Sequence, residues 1–126
     1  MLGTYALSSG YYDAYYLKAI KVKRMIEEDF NEAFKDVDCI LTPTSPELPF
    51  KLGEKKDNPL SMYLSDILTI PANLAELPSI SIPFATSSSN LPIGAQLTAN
   101  KLCEESLLKV SSIVENEVGF KSKFQP

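Results

Sequence analysis

Histidine is absent from the 126 residues of this chain, and its absence limits the chemistry that the chain can perform. Without it there are no Ser-His or Cys-His nucleophile pairs, no histidine general base and no histidine metal ligand. Two cysteines, Cys39 and Cys103, are too few for a structural zinc site. We predict two free buried thiols, with a disulfide as the alternative, and we expect no metal site.

Other catalytic arrangements are equally hard to find. The five glycines lie at positions 3, 10, 53, 94 and 119, too far apart for a phosphate-binding loop. The acidic pairs Glu27-Glu28 and Glu104-Glu105 are predicted on solvent-exposed helix surfaces. No Ser-x-x-Lys occurs in a convincing context, so the residues alone predict no catalytic nucleophile.

Asp66 is the best candidate for a polar binding site. It is a single acid within an otherwise apolar predicted helix, next to a proline-rich loop. A carboxylate in this position could bind a cationic group of a ligand. The alternatives are that Asp66 caps a backbone group or faces water, as most acids on helix surfaces do.

The elements that must position these residues begin with a long helix. Apolar residues spaced by three and four predict a helix of about seven turns, with Ser9 as its N-cap and Asp13 near the positive end of its dipole. The stripe is formed by Tyr12, Tyr15, Ala19, Val22, Ile26, Phe30, Ala33 and Val37. The segment from Val37 to Leu41 then predicts a short buried strand that stops at Thr42-Pro43.

A proline-rich loop follows from Thr42 to Pro59. Eight of the nine prolines lie between Pro43 and Pro92, and a loop of this length is more often functional than incidental. A helix over Leu60 to Thr69, entered at Pro59 and ended by Pro71, follows the loop, and a short helical turn is predicted from Pro71 to Ala75.

The last third of the chain predicts a hairpin and a helix. Segments 79–83 and 93–97 form the two strands, joined by a polar turn at 86–90. A closing amphipathic helix runs from Glu104 to Val118 with Gly119 as its C-cap. Its inward residues are predicted to be Leu107, Leu108, Ser111 and Val114. This order of elements predicts an α/β or α+β class around a small sheet.

Composition agrees with one globular domain. The chain carries 12 Lys and Arg against 16 Asp and Glu, a net charge of −4, and 44% of its residues are hydrophobic. The acidic balance argues against a nucleic-acid-binding face. No apolar run is long enough to span a membrane and no signal peptide is recognisable, so we expect a cytoplasmic or organelle-matrix location.

Several sequence strings together resemble one known family. The chain is similar to the C-terminal quarter of the A subunits of glutamyl-tRNA(Gln) amidotransferases, which belong to the amidase-signature family. The resemblance covers nearly the whole chain. The strings are LGTYALSSGYYDAYY at 2–16, LTPT at 41–44, DNPLSMYLSD at 57–66, PANLA at 71–75 and LPIGAQ at 91–96.

The resemblance implies a fold and a reaction. The fold is a mixed β-sheet flanked by helices, and residues 1–126 would be a single partial domain, the C-terminal portion of an amidase domain. The complete subunit releases ammonia from glutamine so that Glu-tRNA(Gln) is converted to Gln-tRNA(Gln) in translation. The family's Ser-Ser-Lys triad lies upstream of these residues, so we expect a fragment that is inactive alone.

The resemblance also implies site residues and partners. Asp66 matches the acid that holds the α-amino group of glutamine, and the turn Thr42-Pro43-Thr44 would support the pocket. This chain is expected to bind no cofactor, because ATP and Mg²⁺ are used by the B subunit. The implied partners are the B and C subunits, with Glu-tRNA(Gln) contacted through the complex and no membrane.

Two departures and three alternatives accompany this interpretation. Glu76 stands where the family has glycine, which strains the backbone if the position requires a positive φ. Ala99 replaces another family glycine. The alternatives are a stand-alone binding or assembly module, a decayed remnant, and part of an amidase that acts on small amides.

Overall fold

The fold is a small antiparallel sheet with helices packed around it. The computed structural model describes residues 15–55 and 57–120. The elements within these ranges are α1 (Leu17–Ala33), β1 (Cys39–Pro43), α2 (Pro59–Leu64), α3 (Ile70–Leu74), β2 (Ser79–Thr86), β3 (Pro92–Ala99) and α4 (Glu104–Val118). The predicted combination of a sheet with flanking helices is confirmed.

The three described strands are arranged β1-β3-β2 and both pairings are antiparallel. The predicted hairpin is therefore confirmed as β2 and β3. The strand predicted over Val37 to Leu41 runs instead from Cys39 to Pro43, where Pro43 is opposite Ala95. None of its residues is buried, so the prediction of a buried strand is wrong. Proline is tolerated there because β1 is an edge strand, and the same reason lets Pro83 lie within β2.

The core lies between the sheet and α4. Ala95, Leu97 and Ala99 on β3 pack together with Ile82 and with Leu107 of α4, and each of these side chains is buried. The limits predicted for α4 are confirmed, and Gly119 caps it in the left-handed conformation with φ 58°. The prediction that Leu108 faces inward is wrong, since 59% of that residue is exposed.

Helix α1 ends earlier than predicted and packs loosely. It ends at Ala33, and the backbone then forms i to i+3 hydrogen bonds at Lys35 and Asp36, so Val37 lies outside it. No residue of α1 is buried. The predicted N-cap Ser9 and the acid Asp13 lie outside the described residues. No helix within the described ranges combines the length and the apolar character needed to cross a membrane.

The helix predicted over residues 60–69 is divided into two. Helix α2 begins at Pro59, where the Asn58 side chain accepts a hydrogen bond from the Ser61 amide at 3.1 Å. After Leu64 the chain tightens into i to i+3 bonds, including the Asp66 amide to the Tyr63 carbonyl at 3.2 Å. The short helical turn predicted from Pro71 to Ala75 is confirmed as α3, in which Pro71 lies in the first turn, where its missing N–H costs nothing.

Both cysteines are free thiols, as predicted, and both are half-buried. Cys39 begins β1 and Cys103 immediately precedes α4, and both pack against the core. Burial raises the pKa of the Cys39 thiol, with smaller contributions from Asp38 and Cys103. The raised pKa favours the protonated thiol, which is the less reactive form.

Glu76 joins three parts of the chain through an ion-pair network. Its φ of 58° is the left-handed conformation that its position after α3 requires. Its carboxylate pairs with Lys23 of α1 and with Lys101, which also pairs with Glu27 at 2.8 Å. Hydrogen bonds from Lys23 and Lys101 lower the pKa of Glu76, and the bond to Glu27 raises the pKa of Lys101. Charge therefore holds α1 where apolar packing is sparse.

Replacing Glu76 with glycine should relieve the strained backbone and remove the centre of this network. A carboxyl with a lowered pKa stabilises the fold above the unfolded pKa of about 4.3, and that contribution is lost as pH falls through the folded value. In urea titrations, the free energy of unfolding of the wild type should therefore decrease with added salt and with falling pH. Both dependences should be weaker in Glu76→Gly, in which the pairs of Lys55 with Glu47 and of Lys101 with Glu27 remain.

The matched control for this experiment is Glu105→Gln, which removes an isolated exposed pair with Lys109 on α4. This control should keep the salt and pH dependence of the wild type, because exposed single pairs contribute little. Equal dependences in Glu76→Gly and the wild type would show that the network does not hold α1.

Candidate functional site

A cavity of about 590 Å³ lies between the proline-rich loop and α2. Most of its wall is apolar, and among the described residues its two charged side chains are Lys55 and Asp66. The lining residues are Phe50, Leu52, Gly53, Lys55, Pro59, Met62, Tyr63 and Asp66. An apolar pocket with a few polar groups is the usual form of a small-molecule site.

Asp66 has a fixed backbone and an available carboxylate. Its carbonyl accepts hydrogen bonds from the Thr69 amide and hydroxyl, both at 3.0 Å, and from the Ile70 amide at 3.2 Å. Its exposed side chain makes no hydrogen bond or ion pair with any described residue. The capping alternative for Asp66 therefore does not hold, whereas the alternative that it faces water does. The carboxylate is free to accept hydrogen bonds from a cationic ligand.

Lys55 is the second charged group of the cavity, and its side chain is only 8% exposed. Its ammonium donates to the Glu47 carboxylate and the Ser65 hydroxyl, each at 2.7 Å, and to the Ser61 carbonyl at 3.4 Å. It also lies 4.2 Å from the centre of the Phe50 ring. Sequence reasoning missed Lys55, since a lysine in a charged loop segment is normally solvated.

The predicted turn Thr42-Pro43-Thr44 is instead the end of β1, with Thr42 and Pro43 within the strand and Thr44 directly after it. Thr44 lines a second cavity of about 250 Å³, whereas Thr42 and Pro43 line neither of the two cavities. The cavities share Phe50, so the proline-rich loop forms a wall of both. The structure thus places Asp66 and Thr44 at two neighbouring cavities, and Thr42 and Pro43 at neither of them.

Gln96 connects the sheet to the Asp66 segment. Its side chain is buried on β3 and donates from Nε2 to the Leu68 carbonyl at 3.1 Å. This bond fixes the turn that follows α2 relative to the central strand. Gln96 was not singled out as a positioning residue, although an isolated amide in an apolar strand is a signal that could have found it.

Gly94 allows the loop to approach the sheet closely. The Thr44 amide donates to the Gly94 carbonyl at 3.1 Å, and the Thr44 and Ser81 hydroxyls are hydrogen-bonded at 2.7 Å. A Cβ at position 94 would lie 2.8 Å from both hydroxyl oxygens. Only glycine leaves space for this contact.

Gly94→Ala should destabilise the chain by about 1–3 kcal/mol, because the added methyl group overpacks the hydroxyl pair. Urea denaturation followed by circular dichroism measures the change. The double variant Gly94→Ala/Ser81→Ala removes one of the two opposing oxygens and should lose less stability than the sum of the single variants. Additive losses would mean that the contact does not limit residue 94.

The described residues offer no group of three His, Cys, Asp or Glu side chains that could bind a metal ion. The chemistry visible at the cavity is therefore binding: a free carboxylate, a buried ammonium whose charge is matched by Glu47, and an apolar wall. Within the described ranges no serine or cysteine at this cavity lies beside a general base.

Two curated relatives of this chain carry the same name. The chain is 57% identical over 126 residues to the A subunit of the glutamyl-tRNA(Gln) amidotransferase of Trichodesmium erythraeum, covering 100% of this chain and 26% of that protein. The corresponding protein of Pelagibacter ubique is 52% identical over 123 residues, covering 98% of this chain and 25% of the relative. The chain thus spans about a quarter of the length of these curated relatives.

Solved structures and a family model agree with these relatives. The crystal structure of the same protein from Thermotoga maritima matches with a TM-score of 0.79 and 48% identity, covering 92% of this chain and 25% of that one. A 6-aminohexanoate cyclic dimer hydrolase shares the fold, with a TM-score of 0.74 at 22% identity. The family model described as Amidase matches residues 1–108. On this match and these relatives, the chain belongs to the amidase family.

Proposed function

We propose that this chain forms one wall of the glutamine site in the glutamine-hydrolysing A subunit of a glutamyl-tRNA(Gln) amidotransferase. In this proposal the complete protein hydrolyses the side-chain amide of glutamine to glutamate and ammonia. The ammonia then converts Glu-tRNA(Gln) to Gln-tRNA(Gln). The named relatives at 52–57% identity support this choice over other amidases.

The observation that carries the proposal is the Asp66 carboxylate, unpaired among the described residues, at a largely apolar cavity of about 590 Å³. The α-amino group of glutamine is a cation with three donors, so it can form a charge-assisted hydrogen bond to this carboxylate. Asp66 is exposed in this chain, and such a bond becomes stronger when the bound ligand and the rest of the enzyme cover the carboxylate and exclude water. The methylene groups of glutamine are suited to the apolar wall formed in part by Met62 and Tyr63.

The catalytic step itself is assigned to other parts of the enzyme. We place the Ser-Ser-Lys triad in the three quarters of the relatives' length that this chain does not span. ATP and Mg²⁺ are assigned to a B subunit, whereas a C subunit completes the assembly. Glu-tRNA(Gln) is contacted through the complex. Thr44 supports the pocket from the neighbouring cavity, and Thr42 and Pro43 support it from the end of β1.

A chimera tests the proposal directly. This chain replaces the matching quarter of the Thermotoga maritima protein, to which it is 48% identical, and is assembled with that organism's B and C subunits. Ammonia release from glutamine should be restored by the chimera and absent with the 126-residue chain alone. A folded chimera that hydrolyses small amides but not glutamine would favour a small-amide amidase instead.

A second candidate function is an assembly module, favoured by the exposed apolar surface of α2 and α3. Leu60 is 66% exposed, Tyr63 74%, Ile67 49% and Ile70 45%. Apolar residues concentrated in this way often mark an interface. The immobilised chain should then retain separately purified B and C subunits, or the remaining three quarters of the amidase protein. A Tyr63→Ser/Ile67→Ser variant should retain less of the same partner. Equal retention would remove this candidate.

A further inference from the structure

We propose that Lys55 is a positioning residue that fastens the proline-rich loop over the Asp66 cavity and so sets the affinity of that cavity for its ligand. The ligand's identity as glutamine rests on the function proposed above. The fastening itself follows from contacts within the chain.

Lys55 is bonded in a way that leaves it unavailable as a ligand. An ammonium group has three donors, and the structure provides three acceptors in Glu47, Ser61 and Ser65. With 8% of the side chain exposed and the Phe50 ring 4.2 Å away, the charge is held in one place. Lys55 therefore acts on a bound ligand through the position of the cavity walls.

Both ends of the loop are bonded to Ser65, the residue that follows α2. Near its start, the Ser45 hydroxyl donates to the Ser65 carbonyl at 3.3 Å, and near its end Lys55 donates to the Ser65 hydroxyl at 2.7 Å. Ser65 also donates to the Ser61 carbonyl at 3.1 Å, which fixes its side chain on the helix. Ser65 immediately precedes Asp66, so the loop and the carboxylate share one anchor.

Glu47 makes the fastening depend on charge. Its carboxylate lies on the loop and is half exposed, and it is paired with Lys55 at 2.7 Å. Without the lysine charge, the loop would lose the ion pair at Glu47 and the cation–π contact with Phe50. Of the hydrogen bonds between the loop and Ser61 or Ser65, only the weak one from Ser45 would remain. The loop should then open, because few apolar contacts retain it.

Lys55→Met keeps the length and apolar stem of the side chain and removes the charge. The matched control is Lys51→Met in the same loop, since the Lys51 side chain makes no described contact and only its backbone is bonded. Hydrogen exchange of loop amides in the 126-residue chain should become about tenfold faster in Lys55→Met and stay unchanged in Lys51→Met. Ser65→Ala, which removes one acceptor and keeps the charge, should give a smaller increase.

In the chimera, Lys55→Met should raise KM for glutamine about tenfold and change kcat less than about twofold, because no group that touches the reacting atoms is altered. Lys55→Arg keeps the charge and should restore part of the affinity. A general loss of folded protein would lower the apparent kcat without this selective change in KM.

The outcomes separate the two proposals. If the loop amides of Lys55→Met exchange hydrogen at the wild-type rate, the fastening role is overturned, whatever KM the chimera gives. A fall in kcat with an unchanged KM would also overturn it. A wild-type chimera that folds and assembles but releases no ammonia would overturn the proposed function, and faster loop exchange in Lys55→Met would still support the fastening.

Discussion

Asp66→Asn in the chimera is expected to lower kcat/KM for glutamine by about 10- to 100-fold. A hydrogen bond to a charged group contributes roughly 1.5–3 kcal/mol, and each 1.4 kcal/mol is a factor of ten. Asparagine keeps the shape of the side chain and removes its charge. The loss should therefore report on the carboxylate–ammonium contact and not on a change in the cavity.

Glutaramate, which is glutamine without its α-amino group, gives an independent measurement of the same contact. The wild-type chimera should hydrolyse glutaramate less efficiently than glutamine by a similar factor. Asp66→Asn should hardly affect glutaramate, because the group that pairs with the carboxylate is missing. Steady-state ammonia release measures all four combinations.

Asp57→Asn is the matched control for charge. Asp57 is an exposed acid close to the cavity, and its side chain has no described partner. Its substitution should leave kcat/KM for glutamine within about twofold of the wild type, since an exposed charge is screened by solvent. Equal losses of kcat/KM in Asp66→Asn and Asp57→Asn would exclude Asp66 as the ligand of the α-amino group. The same conclusion would follow if Asp66→Asn lost as much kcat/KM for glutaramate as for glutamine.

Leu107→Ala is expected to destabilise the chain by about 2–5 kcal/mol, the usual cost of removing a buried leucine side chain. Leu107 is 4% exposed and contacts the small side chains of β3, which cannot fill the resulting cavity. Total stabilities are typically about 5–15 kcal/mol, so this single change could remove much of the folded population. Urea denaturation of the 126-residue chain gives the value.

Leu108→Ala provides the control on the same helix. Leu108 is 59% exposed, so its truncation removes little buried apolar surface. The free energy of unfolding should change by less than about 1 kcal/mol. If the two alanine variants were equally destabilised, the orientation of α4 on the sheet would be wrong.

The difference between Leu107 and Leu108 shows where sequence patterns stop being informative. Both fit an amphipathic helix, and periodicity locates the face only to within about one residue. The sheet decides between them, because β3 places Ala95, Leu97 and Ala99 against one side of α4. The end of β1 is similar: Pro43 suggested that the strand stops earlier, and only the strand order shows an edge where proline is tolerated.

One charged residue of the candidate site could be predicted from the sequence and the other could not. Asp66 was found from the sequence, because an acid in an apolar helical pattern beside a proline-rich loop is conspicuous and matches a family string. Lys55 was not found, because its burial depends on Glu47, which lies eight positions away, and on two serines of α2 and the turn after it. Such long side-chain contacts have no periodic signal.

Local physical chemistry let the sequence by itself determine most helices and strands, the hairpin, the limits of α4 and its C-cap at Gly119. The positive φ of Glu76 was only suggested, by the glycine that the family has there, and the structure shows it. Proline, glycine and apolar spacing act over a few residues, so they can be recognised without a fold. Tertiary structure alone decided that Thr44 and Asp66 line separate cavities and that Lys55 is buried. These features depend on which distant segments meet, and that is set by the packing of the loop against α2 and the sheet.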